Sequence, residues 1–236
     1  MSATHLHGSA SLDHSDYWWY RARTDLLEVA LGRFVARPAR ILDVGSADGP
    51  SVGWLQGGQR VQIDVDPRGL TPGGGVLGSA LSLPFADRTF DVVSAFDVLE
   101  HCEPEQRAIG ELARVLDVGG RLLMSVPAYE WAWTDHDVRA GHHRRYTRRR
   151  LLDTVEGTGL TVQRCSYAFG SVFPLFAAER LVRRMRKTKP SDNALPSVSA
   201  TTDRLLMALC GIDRWVLRRA DLPFGSSVLL AAVKMR

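Results

Sequence analysis

The feature that most constrains this chain is a series of short apolar runs at residues 40–44, 60–64, 91–95 and 121–126, each ending in a polar or glycine-rich turn. Runs of this length suit strands buried on both faces of a parallel sheet. Helix-like stretches lie between them. In the clearest, 104–116, Ile109, Leu112, Ala113 and Leu116 share one face, and the pair Gly119 and Gly120 is expected to stop it. Strand, helix and strand in succession need a right-handed crossover, and repeated crossovers give a doubly wound α/β sheet.

The flanks read differently. Residues 17–34 predict a helix with Trp18, Trp19 and Tyr20 near its start and Leu26, Leu27, Ala30 and Leu31 behind. Its aromatic rings either cover a ligand or pack, and packing is the commoner use. Beyond the sheet, a Pro/Ser-rich linker at 189–199 separates amphipathic segments at 173–186 and 202–219, and 226–233 reads as a final strand. A chain of 236 residues fits one such domain, burying roughly 70% of the surface its unfolded form exposes. We divide it into a helical segment at 1–37, a core at 38–170, and C-terminal helices with the last strand at 171–236.

Residues 1–12 carry no basic start followed by an apolar run, and no apolar stretch reaches the ~18 residues a membrane span needs. A cytoplasmic protein is expected. Cys102, Cys165 and Cys210 are odd in number and widely spaced, as reduced thiols are. The net charge of +4 is clustered, at Arg144, Arg145, Arg148, Arg149 and Arg150, at Arg180, Arg183, Arg184, Arg186, Lys187 and Lys189, and at Arg214, Arg218 and Arg219. Such clusters are either a solvated face or, beside Phe173, Leu175, Phe176, Leu181 and Val182, a basic amphipathic surface for peripheral contact with anionic membrane. No RNP-like module accompanies them, and the Asn/Asp-Pro-Pro-Tyr/Phe motif of base methylation is absent, so nucleic acid is not an expected partner.

The decisive segment is Ile41-Leu42-Asp43-Val44-Gly45-Ser46-Ala47-Asp48-Gly49-Pro50, a strand that runs into a glycine loop and then into Pro50, which suits a first helical turn. Its spacing is not the GxGxxG of dinucleotide sites. Instead it resembles the first motif of the class I S-adenosylmethionine-dependent methyltransferases, of the type 11-like small-molecule kind. Further matches follow in family order: Val61-Gln62-Ile63-Asp64-Val65-Asp66-Pro67, then Gly78-Ser79-Ala80-Leu81-Ser82-Leu83-Pro84-Phe85, then Phe90-Asp91-Val92-Val93, and Phe96-Asp97-Val98-Leu99-Glu100-His101.

That resemblance implies a Rossmann-like, seven-stranded, mostly parallel sheet with an antiparallel last strand, an N-terminal helical lid and a C-terminal helical insertion. The implied cofactor is S-adenosylmethionine, contacted by Asp43, Gly45, Ser46, Gly49, Asp64, Val65, Ser79, Ala80, Phe96 and Asp97. Asp64 would take the ribose hydroxyls, with Asp66 as fallback. Ser79 stands where the family commonly has an aspartate. At 67–75 the chain is too rich in proline and glycine for the usual helix, so a loop is expected there.

The acceptor should lie against the stretch from Trp131 to Tyr146, which is dense in histidine, acid and aromatic rings. Candidate general bases are His101, His136 and His143. Candidate substrate contacts are Trp19, Tyr129, Trp133, Asp137, His142 and Arg145. A second reading stays open, in which His142 and Arg145 brace the loop and Thr147 caps the next helix. Asp135, His136, Asp137, His142 and His143 are metal-ligand types, but their spacing matches no zinc pattern and no metal is assigned. The implied acceptor is a small molecule or a lipid- or glycan-linked group methylated on oxygen. Nitrogen, carbon and a non-catalytic regulator remain alternatives, as do monomer and homodimer.

Overall fold

The computed structural model describes residue 14 and residues 16–46, 52–71, 75–186 and 197–236. Seven strands form one sheet in the order β3-β2-β1-β4-β5-β7-β6. They are β1 (Arg40–Val44), β2 (Gln59–Asp64), β3 (Gly75–Leu77), β4 (Phe90–Phe96), β5 (Leu116–Pro127), β6 (Leu160–Ala168) and β7 (Ser227–Lys234). β1 to β5 run parallel, and β7 lies antiparallel between β5 and β6. The strand order reverses between β1 and β4, because the chain adds β2 and β3 on one side and then returns to the other. That reversal opens a crevice at the C-terminal strand ends.

Each predicted strand exists, and β1 has the predicted bounds. β7 is buried along its whole length, as a strand with neighbours on both edges should be. Its Lys234 ammonium donates to the carbonyls of Leu116 (2.8 Å) and Arg114. Among its described residues, the expected loop between β2 and β3 carries only a short 3-10 turn, Pro67–Gly69.

The helices are α1 (Trp18–Leu31), α2 (Glu105–Val115), α3 (Asp135–Ala140), α4 (Arg148–Val155), α5 (Phe173–Arg186) and α6 (Ala200–Leu217). One expectation fails at the end of α2. Gly119 and Gly120 do not stop this helix; Leu116 is already extended and begins β5. The glycines shape an irregularity inside the strand: Gly119 has φ +81, and the register with β4 shifts between Phe90 and Val92. Pairing with β4 captured residues that sequence pattern gave to the helix. Of the predicted linker, 189–196 lies outside the described residues.

α1 buries Leu26, Leu27, Ala30 and Leu31, and ion pairs Arg21–Asp203 (2.6 Å) and Arg214–Asp25 (3.1 Å) tie it to α6. Arg164 of β6, only 5% exposed, secures both helix ends. Its guanidinium donates to Ala30, Leu217 and Ala220 carbonyls, each at 2.8 Å, and to Asp221 at 2.7 Å. A cation suits the negative C-terminal end of a helix, whose last carbonyls lack intrahelical partners. All three cysteines are free and buried. No helix among the described residues is long and apolar enough to cross a membrane.

Candidate active site

Gly45 follows β1 directly and holds φ +75. A Cβ there would lie 2.4 Å from Val98 Cγ2, so the loops after β1 and β4, on the two sides of the crevice, touch only because this residue is glycine. Asp43, two residues earlier on β1, is buried and accepts from the Ser94 hydroxyl at 2.9 Å. The Ser46 hydroxyl donates to the Gly69 carbonyl, joining the loops after β1 and β2. Gly49 and the predicted helix start at Pro50 lie outside the described residues.

Asp64 ends β2 with its carboxylate fixed by the Asp66 amide at 2.8 Å. Asp66 is otherwise committed: it caps the Pro67–Gly69 turn and pairs with Arg68 at 2.5 Å, and that guanidinium holds its carboxyl below the usual range. Asp64 is the last residue of β2 and is buried. Val65 is exposed, Ala80 is buried, and Ser79 accepts from the Leu81 amide within its own turn. Phe96 is buried, with its ring 6.3 Å from that of Trp54.

The first residue that sequence reading missed, Arg23 of α1, meets the predicted Asp97 in the turn after β4. Asp97, at φ +55, accepts from Arg23 (2.9 Å) and from the Ser125 hydroxyl (3.0 Å). Arg23 is 3% exposed, and its guanidinium also sits over Trp19, 5.4 Å from the ring centroid. Trp19 in turn stacks on Phe169 at 5.7 Å. α1 thus reaches the strand ends through a buried arginine, whereas its predicted aromatic contact is taken up by packing. The signal available in the sequence was the i, i+4 spacing of Trp19 and Arg23.

Across the crevice, the stretch after β5 folds around Asp137. This fully buried carboxylate accepts from the Thr134 amide (2.8 Å) and hydroxyl in a capping box. Its other oxygen receives Arg145 Nε and His142 Nδ1, both at 2.8 Å. Burial opposes the charge, but His142 and Arg145 outweigh it and hold the carboxyl well below its usual range. Nδ1 of His142 therefore carries the proton. Arg144 and Tyr146 pin the rest: Arg144 donates to the Cys102 carbonyl (2.7 Å) and Tyr146 to Glu105 (2.5 Å). Thr147 caps α4.

The structure brings together three of the predicted residues. The His101 ring lies 4.6 Å from that of His142, and His136 lies 6.4 Å from it. His101 reaches solvent yet is hemmed in by neighbouring atoms; desolvation, then His142, push it down to about 4. His136 is lowered too, chiefly by desolvation. His143 is exposed, and its backbone amide donates to the Glu100 carbonyl. Tyr129, at φ +63, stacks between Tyr167 (5.4 Å) and Trp131 (5.8 Å) and borders Phe173. Trp133 is half-buried beside it in sequence.

The second missed residue is Glu100. It is fully buried, and neither carboxylate oxygen has a hydrogen-bond partner. Burial, reinforced by Asp97, pushes its carboxyl well above the usual range.

Residues 42–124 match the methyltransferase-domain family. The matched stretch runs from β1 into β5, the part of the sheet that forms the crevice. A demethylmenaquinone methyltransferase of Thermobifida fusca is 40% identical over 91 residues, 39% of this chain and 36% of that protein. The O-methyltransferase rstn1 of Aspergillus nomiae is 30% identical over 141 residues, 49% of this chain and 63% of that one. The chain therefore spans between about a third and two thirds of the length of these curated relatives. The fold of the domain recurs in the N-methyltransferase NodS of Bradyrhizobium japonicum, solved with S-adenosyl-L-homocysteine: TM-score 0.54, 18% identity, covering 72% of this chain and 92% of that one.

Proposed function

We propose that this methyltransferase domain binds S-adenosylmethionine in the crevice between β1 and β4 and methylates an oxygen of a small-molecule or lipid- or glycan-linked acceptor in a biosynthetic pathway. The observation that carries the reading is the convergence there of the left-handed Gly45, the fixed carboxylate of Asp64 and the anchored Asp97. The residues fit the cofactor: a carboxylate at the second strand end accepts from two ribose hydroxyls, and a glycine turn gives bare backbone for close approach. The buried Ala80 and Phe96 supply apolar walls for a purine.

When bound, the sulfonium supplies an activated methyl group for in-line displacement. The chain's part is alignment, which contributes up to roughly 7–11 kcal/mol in favourable cases. Asp64 grips the sugar, and Arg23 with Ser125 holds Asp97 rigid. His101 and His136, neutral at pH 7, are able to accept the acceptor's proton; His143 is the third candidate base. Tyr129, Trp133 and the braced loop of Asp137, His142 and Arg145 form the acceptor wall. Exposed Leu175, Leu181 and Val182 on the arginine-rich α5 support peripheral contact with anionic lipid.

Calorimetry with S-adenosylmethionine and its demethylated product, followed by a product assay, tests this reading. Binding of both with methylated product supports it; binding without product over an acceptor panel points to a regulator; no binding overturns it. Turnover that survives alanine at both His136 and His143 removes the base from those positions, and failure to sediment with anionic vesicles removes the lipid contact.

A further inference from the structure

We infer that Glu100, His101 and His142 form a binding site for a single divalent transition-metal ion at the acceptor side of the crevice. One ligand atom from each lies within 4.8 Å of the others. The residues are distant in sequence: two sit in the 3-10 turn Leu99–His101 after β4, and the third follows α3.

Three independent features of this cluster point to a cation. First, Glu100 is a carboxyl at 0% exposure with both oxygens lacking a hydrogen-bond partner. A buried polar group without a partner costs about 1–3 kcal/mol, more when charged, and persists where something else satisfies it. Second, His142 is set up as a ligand. Its Nδ1–H donates to Asp137, which leaves the Nε2 lone pair outward, and Asp137 is itself fixed by Arg145. This carboxylate–histidine arrangement orients a metal-bound imidazole and raises its basicity. Third, the His101 ring stands edge-on to that of His142 with centroids 4.6 Å apart, and a ring nitrogen of each lies within 4.8 Å of a Glu100 carboxylate oxygen.

The donor set fixes the class of ion. Two imidazoles and one carboxylate suit zinc, iron(II), cobalt(II) or manganese(II) better than calcium or magnesium, which take oxygen ligands. Three protein ligands also leave positions open for water or an incoming acceptor oxygen, as catalytic rather than structural sites do. With metal–ligand bonds of about 2.1 Å, donors in a tetrahedral site stand about 3.4 Å apart, so uptake contracts the cluster by at most about 1.4 Å. Any role for the ion in activating an acceptor hydroxyl rests on the methyl-transfer reading; the site does not, and an ion there takes the His101 lone pair and leaves His136 and His143 as the candidate bases.

Cobalt(II) titration of chelator-treated protein, followed by visible absorption, tests the inference. One equivalent is expected to produce d–d bands that zinc abolishes, and zinc should raise Tm. Glu100→Gln, His101→Ala and His142→Ala should each lose the bands and the zinc-dependent rise in Tm. Asp137→Asn, which changes a positioning residue, should weaken cobalt binding about 10–100-fold. A thermal melt without metal checks that each variant folds, and Glu100→Gln is a near-isosteric neutral control. Absence of bands in the parent protein, or bands that survive both histidine changes, overturns the site. So does their loss only on replacing His136 and His143. Calorimetry with S-adenosylmethionine on the same samples reports separately on the cofactor, so failure of one reading is distinguishable from failure of the other.

Discussion

The two sides of the crevice are built on opposite principles. On the β1–β2 side, the functional groups are backbone shape and short side chains at strand ends: Gly45 at φ +75, Ser46 reaching Gly69, and Asp64 held by one neighbouring amide. On the far side, the stretch after β5, built of the short α3 and its flanking turns, is held by buried charge, with Asp137 at the hub of Thr134, His142 and Arg145. A strand end inherits its position from the sheet, whereas a loop must be fixed by its own bonds. Changes on the first side should therefore alter affinity before stability, and changes at the hub should do the reverse.

The largest effect is expected at that hub. Asp137→Ala leaves Arg145 buried without its partner, a loss of about 3–5 kcal/mol. For a chain of this size that is a fall in Tm of roughly 6–20 °C. Cofactor affinity, measured well below the transition, should change little. A small fall in Tm would break the comparison. Arg164→Met, far from the crevice, should cost about 3 kcal/mol through its lost carbonyl contacts, with no change in cofactor affinity; it separates general instability from the loop's own.

Next in size is Asp64→Ala. Losing charge-assisted hydrogen bonds worth about 1.5–3 kcal/mol should weaken S-adenosylmethionine about 10–100-fold with Tm nearly unchanged. Gly45→Ala is the exception on this side: a left-handed alanine costs about 1–2 kcal/mol of stability before its clash with Val98. Val98→Ala in that background should relieve the clash and leave the backbone strain, recovering part of the stability.

The smallest effect concerns pH. The Arg114 guanidinium holds the Glu111 carboxyl below the usual carboxylate range. A carboxyl depressed in the folded state contributes stability that is fully present above its unfolded pKa and lost as pH falls through the folded one. Glu111→Gln should therefore flatten the decline in stability below about pH 4.5 and leave that decline's onset elsewhere unchanged. Urea melts at pH 7 and pH 3 measure this.

The contrast between the two sides also decides what was legible. β1, β2, β4 and their terminal acids could be read directly, because a strand buried on both faces must be an apolar run and its end must change composition. The loop between β2 and β3 was legible from proline and glycine alone. The end of α2 was not, since Leu116 fits a helix face and a strand equally well, and only its pairing with Phe90 decided between them. Arg23 and Glu100 were hidden for a related reason. An arginine on an amphipathic helix and a glutamate in a turn are ordinarily solvated, and nothing local marks these two as buried.

Taken alone, the sequence determined the parallel α/β architecture, the glycine turn after β1 and the acid ending β2, because each follows from local pattern: burial on two faces, a backbone conformation and a boundary. Only the tertiary structure decided which polar groups face one another. Glu100, His101 and His142 lie together because β4 and β5 are sheet neighbours and the segments that follow them meet, and the partnership of Arg23 with Asp97 depends on where α1 docks. Charges interact through space, and their distances are set by the packing of apolar surfaces far apart along the chain.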